Sequence, residues 1–216
     1  MKTETRAELS QGSSNYAIYQ MVVKSLGQPQ NGIIVDVGCG QGNLFKYVEN
    51  KCDRYIGVDV TQYSEFSRDL EFRKVNLDSG RVDLPDSFAD IVCSVETIEH
   101  LENPRAFVRE LVRLVKPNGL IMVTTPNQLS LLSKLTLLIK NEFNAFQESP
   151  GCYPAHITAL LEIDLIRIFQ ECGLTNIKID YSNQGRIPFT SMNWHSFFQG
   201  KAFSDNLICS GKFNEP

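Results

Sequence analysis

The chain has 216 residues, of which 42% are hydrophobic and 21% charged, the make-up of a folded globular protein rather than a disordered or low-complexity one. By general scaling a chain of this size buries about 70% of its unfolded surface, enough for a single core and a single domain. A formal net charge of −4 supplies no broad positive field, so nucleic acid is disfavoured as a partner.

The six cysteines are scattered with no C-x-x-C pair, which reads as free thiols in a reducing, cytoplasmic setting. The first eleven residues are polar with no apolar run of the kind a secretory leader needs, and no stretch approaches the 18 apolar residues of a membrane span, so stable membrane insertion is not expected. We expect residues 1–12 to be a flexible tail and residues 13–216 to form the domain.

From Ser13 to Leu26, Tyr16, Tyr19, Gln20 and Val23 share one helical side; the tyrosines either pack or face a substrate. Gly27 to Gly32, with Pro29, is a connecting loop. Ile33, Ile34, Val35 and Val37 then read as a buried parallel strand, and Gly38, Gly40 and Gly42 follow at alternate positions. Leu44, Phe45 and Val48 at helical spacing continue as a helix over about 42–50. Three glycines here allow a turn with left-handed backbone angles and close approach of a ligand to the main chain. The unit is half of a nucleotide-binding βαβ motif, but the dinucleotide fingerprint G-x-G-x-x-G would need glycine at position 43, which is Asn43.

A second buried strand, Tyr55 to Asp59, ends in a carboxylate 23 residues beyond Asp36. Asp59 is placed to accept hydrogen bonds from the two ribose hydroxyls of an adenosine; the alternative is that it caps a helix starting near Gln62. Phe72 to Leu77 is a third strand, Ile91 to Val95 a fourth and Leu120 to Asn127 a fifth, with a helix over Pro104 to Lys116 broken by Lys116-Pro117-Asn118-Gly119. Thr125, Pro126 and Asn127 fall at the carboxyl end of the fifth strand, where open α/β sheets hold ligands. Gln128 to Phe146 is a leucine-rich helix, apolar on more than one face, and reads as a substrate lid or as core, with membrane-surface contact or dimerisation as minor uses. Glu148 to Ala155, with Pro150, is a loop. Ala159 to Gly173 is an amphipathic helix with a glycine stop, and Thr175 to Tyr181 and Asn206 to Lys212 are the last two strands. The aromatic stretch Gly185 to Phe203 between them, with Trp194 and His195, is either a pocket wall or a packed connection.

The segment Val35-Asp36-Val37-Gly38-Cys39-Gly40-Gln41-Gly42-Asn43 resembles motif I of the class I S-adenosylmethionine (SAM)-dependent methyltransferases. Phe88 to Asn127 resembles the same family, above all Glu96-Thr97-Ile98-Glu99-His100 followed by Asn103-Pro104, as in methyltransferases of the ubiquinone-biosynthesis type. His156-Ile157-Thr158, the helix after it and Cys172-Gly173-Leu174 are more loosely similar to methyltransferases of surface-polysaccharide pathways.

The resemblance implies a Rossmann-like α/β fold: a doubly wound seven-stranded sheet, mostly parallel, with an antiparallel terminal hairpin and an insertion near 128–156 covering the acceptor. It implies SAM along the loop of Asp36, Gly38, Cys39, Gly40 and Gly42, adenine near Asn76 or Asp78, and the methionine side near Ser94 and Val95. It also implies direct transfer of the methyl group to a small-molecule acceptor, with an oxygen nucleophile favoured.

His100 and His156 are the candidate bases. Glu96, Glu99 and His100 have two other readings, a structural role and a divalent-cation site such as magnesium, for which His156 or His195 would supply a further ligand; no metal site is assigned. A non-catalytic SAM-binding protein and an NAD(P)-dependent oxidoreductase are the alternative functions, the second lacking its third glycine.

Overall fold

The computed structural model describes residues 3–27, 32–149 and 151–214. Pro29 and Pro150, both expected in loops, lie outside them. Seven strands form one sheet in the order β3-β2-β1-β4-β5-β7-β6. They are β1 (Ile33–Val37), β2 (Arg54–Asp59), β3 (Glu71–Lys74), β4 (Ala89–Ser94), β5 (Val115–Pro126), β6 (Leu174–Tyr181) and β7 (Asn206–Phe213). The first five are parallel, and β7 runs antiparallel to both of its neighbours, β5 and β6. The chain therefore has the doubly wound sheet with the terminal hairpin that its sequence implies.

Alternation along the strands divides the core into two layers. Val35, Val37, Ile56 and Val58 face α4 (Pro104–Leu114) and α6 (Glu162–Glu171), through Phe107, Leu111, Leu165 and Phe169. Ile34, Tyr55, Ile91 and Met122 face α2 (Tyr16–Leu26) and the short α3 (Phe45–Val48) on the other side. A strand buried on both faces needs apolar residues at successive positions, which is why Ile33-Ile34-Val35 is unbroken. β1 sits between β2 and β4, so the strand order reverses there and a crevice opens above the carboxyl ends of both.

Three segments differ from expectation. Residues expected as tail form α1 (Thr3–Ser10), whose Arg6 is 4% exposed and pairs with Asp78 and Glu102. The Lys116–Gly119 break does not precede β5 but lies inside it: Asn118 adopts φ 64° and the pairing shifts register between Ala89 and Ile91. α5 (Leu131–Lys140) buries only Ser133, while Leu138 and Ile139 are 79% and 62% exposed, so this leucine-rich helix is not core.

Candidate active site

A cavity of about 550 Å³ lies above the carboxyl edge of the sheet, walled by the glycine loop, the ends of β2, β4 and β5, residues 6–19 and the segment after α5. The loop is shaped by backbone angles that only glycine takes readily: Gly38, Gly40 and Gly42 have φ of 83°, 52° and 75°. A Cβ on Gly38 would strike the Thr97 side chain, one on Gly40 the Gly12 carbonyl, and one on Gly42 the Phe66 ring at 2.9 Å. The glycines are thus required by the protein's own packing as well as by any ligand. Two amides of the loop, Gly38 and Cys39, donate to the Val58 carbonyl at 2.7 and 3.1 Å, tying the loop to β2.

Asp36 is buried beside this loop. One of its oxygens accepts the Tyr55 hydroxyl; the other has no partner among the described residues. Burial, with the nearby charge of Asp59 adding to it, pushes the Asp36 carboxyl up to about 7 against the pull of the Tyr55 bond. Asp59 caps no helix. Its Oδ2 accepts the Gly40 amide at 2.8 Å and its Oδ1 the Val60 amide at 2.7 Å, so the carboxylate is fixed at the cavity wall with lone pairs to spare.

Gly38, Cys39, Gly40 and Val95 also reach the wall. Gly42, Asn76, Asp78 and Ser94 do not. Asn76 accepts the Asp78 amide at 3.0 Å, Asp78 is held by Arg6 and by the Glu102 amide, and Ser94 lies fully buried in β4. Leu77, between Asn76 and Asp78, lines the cavity instead.

At the far end the chain turns sharply after β4. Glu96 has φ 49°, a left-handed angle uncommon outside glycine and one that recurs at functional sites. This turn sends its carboxylate to the Thr124 hydroxyl at 2.9 Å and the Asn206 amide at 2.7 Å, and burial raises it to about 7. Glu99 is fully buried. Oε2 accepts the Thr125 hydroxyl at 3.1 Å, Oε1 has no hydrogen-bond partner among the described residues, and burial together with Glu96 holds its carboxyl well above the ordinary range.

The two candidate histidines meet here, their ring centroids 4.8 Å apart. Each places Nδ1 against a backbone carbonyl, His100 on Ala155 at 2.9 Å and His156 on Ala145 at 3.0 Å. That arrangement puts the proton on Nδ1 of His156 and leaves its Nε2 as a lone pair, while the His100 ring is also hydrogen-bonded to the Glu96 backbone. His156 Nε2 is 4.0 Å from the orphan Glu99 oxygen. Burial lowers both imidazoles, His156 to about 4 with His100 contributing, so both are neutral at physiological pH. One ligand atom from each of Glu99, His100 and His156 lies within 4.8 Å of the others.

Residues that local sequence reasoning does not reach also line the cavity, among them Thr97, Tyr63, Gln128, Asn144 and Arg186. Of the aromatic stretch only Arg186 and no aromatic ring does so; Trp194 packs on Phe198 and Phe203, and His195 is exposed. The N-terminal residues carry no motif and are brought in by contacts distant in sequence.

Comparison with known proteins agrees with this geometry. Residues 15–179 match the model of the methyltransferase domain. A probable SAM-dependent methyltransferase of Mycolicibacterium smegmatis is 27% identical over 67% of this chain and 58% of its own length. A ubiquinone biosynthesis O-methyltransferase of Neisseria meningitidis is 31% identical over 51% of this chain and 50% of its own. The chain thus spans only about half the length of these curated relatives. A crystal structure of a SAM-dependent methyltransferase from Archaeoglobus fulgidus shares the fold, with a TM-score of 0.65 at 18% identity over 90% of this chain and 94% of that one. The chain belongs to the methyltransferase-domain family, within the class I SAM-dependent methyltransferases. Among the described residues no helix is long and apolar enough to cross a membrane.

Proposed function

We propose that the chain transfers a methyl group from SAM to an oxygen of a small-molecule acceptor. The observation that carries this reading is the division of one cavity into two chemically different halves. Asp36, the glycine loop and Asp59 form an adenosyl and methionine cradle, and the neutral pair His100 and His156 lines the same cavity. SAM supplies the electrophilic methyl on its sulfonium. The protein's part is to hold donor and acceptor in line, worth up to roughly 7–11 kcal/mol in well-oriented reactions. Asp59 takes the ribose hydroxyls, and the segment 128–156 covers the acceptor, contributing Ser130, Asn144 and Cys152 to the wall.

His156 is the better placed base. Its Nε2 carries a lone pair that can take the proton of the acceptor hydroxyl, and the orphan Glu99 oxygen lies 4.0 Å from it. The test is release of S-adenosylhomocysteine in a screen of hydroxylated small molecules and sugars. With an acceptor found, His156→Gln is expected to lower kcat by roughly 10²–10⁴-fold while SAM affinity stays within twofold, about what removal of a base does. Unchanged kcat would eliminate the base.

A second reading is favoured by the same orphan oxygen. Nδ1 bonds to backbone carbonyls commonly orient histidines that ligate a metal through Nε2, and Glu99, His100 and His156 fit a divalent cation. Two imidazole nitrogens suit manganese, cobalt or zinc better than magnesium, which prefers oxygen and water. Loss of activity on dialysis against a chelator, with return on adding manganese but not magnesium, would select this reading; activity indifferent to chelator would reject it.

A further inference from the structure

The acceptor end of the cavity holds one cationic side chain with an uncommitted edge. Two arginines line the cavity, and the two terminal nitrogens of Arg6 are taken by carboxylates, Asp78 and Glu102, with only its buried Nε unpartnered among the described residues. Arg186 is held differently. Its backbone amide and Nε both bond Asp205, at 3.3 and 2.8 Å, while neither Nη has a partner among the described residues. Asp205 is itself fastened to the end of β5, since its carbonyl accepts the Asn127 amide at 2.7 Å. The guanidinium, 44% exposed at the cavity mouth, is thereby oriented by one carboxylate, with its two outer nitrogens open to solvent or to a ligand.

Three further observations define what this edge faces. Asp205, which holds Arg186, is followed by Asn206, whose amide donates to Glu96 at 2.7 Å, so Arg186 lies on the same side of the cavity as Glu96. Asn144, on the same cavity wall and only 7% exposed, has a side-chain amide with no hydrogen-bond partner among the described residues. The carboxylate oxygens of Glu96 are both taken, by Thr124 and Asn206, which leaves little there for a cationic acceptor. A guanidinium's paired outer donors match the two oxygens of a carboxylate or phosphate, and the Asn144 amide on the same wall offers a third donor.

We propose that the methyl acceptor carries an anionic group, a carboxylate or a phosphate, which binds the outer edge of Arg186 with help from Asn144. The proposal rests on the reading of this cavity half as the acceptor site. It makes Arg186 a specificity residue that selects acceptors by charge.

The test uses the full chain saturated with S-adenosylhomocysteine and compares matched probes by calorimetry and ligand-observed NMR. The probes are 3,4-dihydroxybenzoate against its neutral amide and against 3,4-dihydroxybenzylamine, and glucuronate and glucose 6-phosphate against glucose. The anionic member of at least one set is expected to bind roughly tenfold or more tightly than its neutral partner, the range of a charge-assisted pair. Arg186→Gln is expected to abolish that preference, and Arg186→Lys, which keeps the charge but not the fork, to retain part of it. The carboxylate and phosphate arms show which anion the site takes.

The inference is overturned by equal or tighter binding of the neutral or amine members, by an anion preference that survives Arg186→Gln, or by no binding of any anion at millimolar concentration. Affinity for S-adenosylhomocysteine, measured first in each variant, separates the two failures. If it is intact while charge selection is absent, only this inference falls; if it is absent in folded wild-type protein, the methyltransferase reading falls with it.

Discussion

Asp36 and Asp59 stand at the same loop yet differ in what surrounds them, and their variants should behave differently. Asp36 keeps its proton to about 7, mainly because it is buried. A carboxyl raised in the folded state contributes stability that is fully present below its unfolded value, near 4, and that is lost as pH climbs through about 7. Asp36→Asn cannot ionise. The ligand-free variant is therefore expected to gain several degrees in Tm over wild type as pH is raised from about 5 to about 8.5, and thermal unfolding at the two pH values checks this. A pH-independent difference would count against the burial argument. Asp59 has its carboxylate oriented by the Gly40 and Val60 amides, and Asp59→Asn turns an amide donor toward those donors. SAM affinity, read by titration, should fall roughly tenfold or more, the loss expected for a charge-assisted pair to the ribose.

At the scale of elements, the glycine loop and the N-terminal segment close the cavity together. The Gln41 amide donates to the Gly12 carbonyl at 2.8 Å, the Tyr63 hydroxyl bonds the Ala7 carbonyl at 2.5 Å, and Arg6 is clamped between Asp78 and Glu102. Breaking a buried ion pair by removing one partner costs about 3–5 kcal/mol. Arg6→Ala should speed SAM dissociation and raise hydrogen exchange over residues 3–14; unchanged rates would show that α1 is not part of the closure. Gly38→Ala should lower Tm by several degrees, because φ 83° is strained for alanine and its Cβ meets Thr97.

What could be foreseen from the chain itself follows from how local each cause is. β1 and its loop were legible because double-sided burial writes an unbroken apolar run and positive φ writes glycine. α1 was not, since Arg6 meets partners 72 and 96 residues away. The apolar pattern of α5 misleads for the opposite reason: its leucines satisfy helical spacing, but no other layer of the fold covers Leu138 and Ile139. Glu96, Glu99 and His100 stood out by type and spacing. Only the fold shows that His156, 56 residues later, reaches their side, because the Glu99 carbonyl accepts the Ile157 and Thr158 amides at 2.9 and 3.0 Å.

For the molecule as a whole, the reversal of strand order at β1 and β4 places Asp36, Asp59 and the histidine pair in one crevice, and the antiparallel β7 brings Asp205 and Asn206 to its wall. The account stands on that cavity receiving SAM. The most direct test is isothermal titration of purified, ligand-free protein with SAM and, separately, with NAD. Micromolar binding of SAM and none of NAD is the expected result. Absence of SAM binding in protein shown to be folded, or tighter binding of NAD, would contradict the account at its centre.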